Sequence, residues 1–93
     1  MSDTAAGAAQ ALVVEVLAQM LDVEEPTVEQ AASLADLPGW DSVNALRTLV
    51  FLEREAGAPL DFARYAAATT VADVVAVVEA VLGAGLGAGL VAP

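Results

Sequence analysis

Apolar residues in this chain pair up one helical turn apart, and no stretch reads convincingly as a strand. Leu12/Val13, Val16/Leu17 and Met20/Leu21 follow one another at that spacing, with Glu15 and Gln19 between them. That period predicts a helix over residues 5–21. Val71, Val74/Val75, Val78 and Val81/Leu82 predict another, opened by Thr70, with Asp73 in the position of a capping box. Residues 42–56 read as a helix between Asp41 as N-cap and Gly57 as the residue after its end. Residues 60–65 read as a short helix or a single turn. The fold class is therefore all-α: a four-helix bundle of three main helices and one short one. Residues 22–40 form a long ordered connection, punctuated by Pro26, Pro38 and Gly39 and pinned to the core by Val28, Leu34 and Leu37. Residues 83–93 repeat Gly-Ala-Gly-Leu and read as a flexible tail. One domain over 1–82, with its core about 12–82, is expected.

Charge and chemistry narrow the function. The 93 residues are 58% hydrophobic, enough for one core. Three Arg face 13 carboxylates, for a net charge of −10. Nucleic acid and anionic membranes need a basic footprint, so both are excluded as partners. Basic partner surfaces would meet this chain faster. The sequence has no Cys, His or Lys. Thiolate, imidazole and Schiff-base chemistry are absent with them, and an enzyme is not expected. Residues 1–10 carry no basic residue ahead of an apolar stretch, so no secretory signal is read and the cytoplasm is expected. Residues 74–92 hold Glu79 as their single charge, but 71–82 is amphipathic and the remainder is too short to span a membrane. The initial Met1 and the loose end favour a complete small protein, expected as a monomer.

The informative segment is Pro38-Gly39-Trp40-Asp41-Ser42-Val43. Ser42 directly follows an N-cap, so its hydroxyl is exposed at a helix start. Free amides and the positive dipole end there favour a phosphate, although Asp41 partly opposes it. With no base in the chain to activate Ser42, any catalysis at it must come from another protein. Asp-Ser before a helix is also an ordinary cap.

The wider context resembles the acyl carrier protein family and the related peptidyl carrier domains, from about Leu12 to Leu82. The centre of the resemblance is Ser33-Leu34-Ala35-Asp36-Leu37-Pro38-Gly39-Trp40-Asp41-Ser42-Val43. It continues through Leu52-Glu53-Arg54-Glu55, Leu60-Asp61 and Thr69-Thr70-Val71. The resemblance implies a right-handed bundle with a minor third helix. It implies that Ser42 receives 4′-phosphopantetheine from coenzyme A through a separate magnesium-dependent phosphopantetheinyl transferase. The arm would then hold acyl or aminoacyl cargo as a thioester, loaded and processed by an acyltransferase or ligase and by synthase enzymes. Asp41, rather than His, before the serine looks more like polyketide or fatty-acid carriers than most peptidyl carriers of nonribosomal synthesis. Pro-Gly-Trp-Asp-Ser is similar to freestanding carriers of secondary metabolism, including antibiotic biosynthesis. A helical interaction domain that is never modified is the alternative from another class.

The helix after Ser42 has two faces. Ala45, Leu49, Leu52 and Ala56, with Leu46 beside them, are expected in the core. Val43, Arg47, Val50 and Arg54 form an apolar and basic stripe, read as a partner surface or as solvated side chains. The family usually places acidic residues on this helix, and Arg47 and Arg54 depart from that habit. Trp40 is either a loop anchor or a wall along the arm. Leu46, Leu49, Leu60, Tyr65 and Ala68 are either core or the lining of a cargo pocket.

Overall fold

The computed structural model describes residues 3–91, with side chains for 7–83. Its backbone forms helices α1 (Asp3–Leu21), α2 (Ser42–Ala56), α3 (Phe62–Ala67) and α4 (Val71–Val91). Two 3₁₀ turns, Glu25–Thr27 and Leu34–Asp36, lie in the α1–α2 loop. Among the described residues there is no strand, only an isolated bridge between Ser33 and Thr70. No helix among them is long and apolar enough to cross a membrane.

The turn-spaced apolar pairs become the core. Val13, Val16, Leu17 and Leu21 of α1 are buried, as are Val71, Val74, Val75, Val77 and Val78 of α4. These two helices make the most extensive interface of the bundle, and α2 packs second against α1. Leu49 and Leu52 carry the buried face of α2, where Thr48 is also fully buried.

The helix ends follow local chemistry. Asp41 has extended backbone, and its Oδ1 accepts from the amide of Asn44 at 2.8 Å. Gly57, at φ 73°, ends α2 in the left-handed region, and its amide and that of Ala58 both return to the Glu53 carbonyl. The short helix starts two residues later than the pattern predicts. Asp61 caps it by accepting from the Arg64 amide at 3.1 Å, while Leu60 is buried ahead of it. Glu53 takes the Leu60 amide at 2.8 Å and so ties this loop to α2.

The expected capping box at the start of α4 forms. The Asp73 amide donates to Thr70 Oγ1 at 3.2 Å, and Asp73 Oδ2 accepts from the amides of Thr69 and Thr70. The Thr69 amide, followed by that of Thr70, holds this carboxyl below the ordinary carboxylate value. The α1–α2 loop completes the cap. Val71 donates to the Ala32 carbonyl at 3.0 Å and Ala72 to that of Gln30 at 2.9 Å, while the Leu34 amide returns to Thr69. Val28, Leu34 and Leu37 are buried beneath this loop, as their spacing predicts.

The far end of α4 departs from the sequence reading. The Gly-Ala-Leu stretch expected outside the helix continues it as far as Val91. Propagating an existing helix fixes one residue per added hydrogen bond, which is far easier than nucleating one. Ala and Leu then offset glycines that cost about 1 kcal/mol each, and Pro93 is the first proline beyond Thr70. Residues 92–93 of that stretch lie outside the described residues.

Candidate functional site

Ser42 occupies the first helical position of α2 and is exposed. Its presentation is built by the preceding turn. Gly39, at φ 82°, makes a bend that side-chain-bearing residues rarely adopt. The Trp40 amide closes back to the Leu37 carbonyl at 3.1 Å. Trp40 itself is half-buried and packs on the core, in the role of a loop anchor. Asn44 then braces the turn from inside the helix, its Nδ2 donating to the Gly39 carbonyl at 2.7 Å. Asn44 was absent from the sequence reading. Its amide group reaches five residues back, and the only hint was a polar residue in the first turn of α2.

The two helix starts differ in what they leave open. At α4 the loop carbonyls and Thr70 take the first amides. At α2 Asp41 takes those of Asn44 and Ala45, through its side chain and carbonyl respectively. Among the described residues the amides of Ser42 and Val43 have no partner. Two unpaired donors, the positive end of α2 and an exposed hydroxyl therefore converge on one spot, which suits an anionic phosphoryl group. The Asp41 carboxylate beside it is committed to Asn44 through Oδ1.

Removing that cap by Asp41→Ala should cost about 0.5–2 kcal/mol. The check is thermal unfolding followed by circular dichroism. An unchanged midpoint would mean that the carboxylate does not hold the helix start.

The stripe expected as a partner surface is open to solvent. Val43 is 63% exposed and Val50 59%, and Arg47 and Arg54 are exposed with them. The Arg54 guanidinium lies over the Phe51 ring, 5.9 Å from its centroid, near the outer limit for a cation–π contact. Leu46 corrects the sequence reading. It was expected beside the core stripe but is 56% exposed. At 3.6 residues per turn it lies about 100° from the centre of the buried face, on the flank of Val43 and Val50.

The residues expected to line a cargo pocket separate in the same way. Leu49, Leu60 and Tyr65 are core residues. The Tyr65 hydroxyl donates to the Ala45 carbonyl at 2.6 Å, joining α3 to α2. Burial pushes its phenol well above the ordinary value, so it remains a donor. Ala68 is half-buried and lines a surface depression with Arg64 and Asp73. Leu46 stands outside this packing.

A scan against protein-family models and a search of curated proteins both find no match to this chain.

Proposed function

We propose that this chain is an acyl carrier protein that bears 4′-phosphopantetheine on Ser42. The observation that carries the reading is the exposed serine at a helix start whose first two amides are unpaired. In the attachment, the Ser42 oxygen bonds to the phosphorus of coenzyme A nearest the pantetheine, and the nucleotide leaves with the bridging oxygen. The serine proton passes to a base on the transferase, since the chain has no His or Lys to take it. The amides of Ser42 and Val43, with the positive end of α2 behind them, would hold the negative phosphodiester. Asn44 and Gly39 fix the turn that leads into Ser42, where the arm would be attached. When bound, the arm supplies a terminal thiol that holds cargo as a thioester. Acyl cargo of polyketide type is the form of this reading that the Asp41-Ser42 resemblance favours.

The exposed face of α2 supports a second reading, a helical interaction domain that carries nothing. One experiment separates them. The chain is incubated with coenzyme A, magnesium and a promiscuous phosphopantetheinyl transferase, then weighed by intact-mass spectrometry. Gain of one phosphopantetheine is expected, with no gain in Ser42→Ala. Modification of Ser42→Ala, or an unmodified parent chain, would overturn the carrier reading.

A further inference from the structure

An open depression of about 280 Å³ lies between α3 and α4, just below the usual size of ligand pockets, about 300–1,000 Å³. Arg64, Ala67 and Ala68 line it from the α3 side, and Asp73, Ala76 and Val77 from α4. Leu49, Leu60 and Tyr65 are not part of it. Its carboxylate is held in place. Asp73 Oδ2 accepts from the Thr69 amide at 2.9 Å, the Thr70 amide at 3.1 Å and Thr69 Oγ1 at 3.1 Å. Those donors favour the ionised form. Asp73 Oδ1 takes no hydrogen bond among the described residues. Arg64 gives its backbone amide to Asp61, and its guanidinium makes no hydrogen bond among the described residues, to Asp73 or to any other group. A fixed anion with one free oxygen and a free cation thus stand on the wall of one small depression with an apolar floor.

We propose that this depression binds a small zwitterion, a free α-amino acid with a short aliphatic side chain. Its carboxylate meets Arg64, its ammonium meets Asp73 Oδ1, and its side chain lies on Ala68 and Val77. Charge complementarity selects this class. A simple anion would satisfy Arg64 but meet Asp73 and the field of a chain of net charge −10. A simple cation would satisfy Asp73 and be repelled by Arg64. A zwitterion answers both charges and, having no net charge of its own, does no work against the field. The site does not rest on the carrier reading, since neither Ser42 nor its turn contributes to it.

The test titrates the isotope-labelled chain with L-valine, isobutylamine and isobutyrate while amide chemical shifts are followed. Valine should shift residues 64–68 and 73–77 with a dissociation constant in the millimolar range, as exposed ion pairs allow. General attraction to a chain of net charge −10 favours the amine; only the pair of opposite charges makes valine the better ligand. Arg64→Gln should weaken valine about twofold to fivefold and keep helix content, because Gln is a good helix former. Asp73 stays in place, because its other oxygen holds the start of α4. Ala76→Leu should block the depression, whereas Ala80→Leu adds the same bulk one turn further along α4 and should bind valine as the parent does. Ser42→Ala should also bind it as the parent does. Isobutylamine that shifts these residues more strongly than valine would overturn the proposal. So would unchanged valine binding in Arg64→Gln or Ala76→Leu, or no shift at tens of millimolar valine. Because Ser42→Ala leaves this readout intact, failed modification with retained valine binding counts against the carrier reading alone.

Discussion

Leu52→Ala should destabilise the protein by about 2–5 kcal/mol, the range for truncating a buried leucine. Leu52 is fully buried on the inner face of α2. The removed atoms lose their transfer energy, and the surrounding core collapses only partly into the gap. A domain of this size has about 5–15 kcal/mol in total, so the loss is a large share of its stability. At about 4–8 °C per kcal/mol, the melting midpoint should fall by roughly 8 °C at least. Leu46→Ala removes the same atoms six residues earlier from an exposed position and should change stability by no more than about 0.5 kcal/mol. Both variants are measured by urea unfolding. Similar losses in the two would show that Leu46 is packed and that the faces of α2 are misassigned.

Thr48→Val should act in the opposite direction. Thr48 Oγ1 is buried with no hydrogen-bond partner among the described residues, and burying an unsatisfied hydroxyl costs about 1–3 kcal/mol. Valine has nearly the same shape and a similar helix propensity, so it removes the cost and fills the same space. A gain of about 1–3 kcal/mol is expected, read as a higher midpoint in thermal unfolding. A lower midpoint would show that the hydroxyl has a partner, such as the carbonyl one turn back.

The parts of this fold that were legible are those set by short-range chemistry. Asp41, Gly57 and Thr70 each satisfy backbone groups within a few residues, and all three act where the pattern placed them. The core stripes of α1 and α4 were legible because burial follows the helical period. Leu46 was not, because a leucine at the border of a stripe reads the same whether or not a neighbour covers it. The start of α3 moved because Asp61, rather than the apolar pattern, decides it. The Tyr65 bond to Ala45 spans 20 residues, and no local signal announces a contact of that reach. Asn44 belongs with these, since its brace depends on the bend at Gly39. At the candidate site, the exposure of Ser42 at a helix start was legible, whereas the contrast between an open α2 start and a covered α4 start needed the loop in place.

That covering of α4 divides the α1–α2 loop into two parts with different tolerance to change in length. Gln30 and Ala32 lend their carbonyls to amides about forty residues further along, and Leu34 takes one back. An extra residue between Gln30 and Leu34 would shift these groups out of step and leave the Val71 and Ala72 amides of α4 without their partners. Residues 24–27 are exposed and the backbone bonds they make are local; an insertion there only lengthens a surface excursion, at a small entropic cost. Length variants of this protein should therefore be tolerated before Val28, with the stretch from Gln30 to Leu34 held to one length.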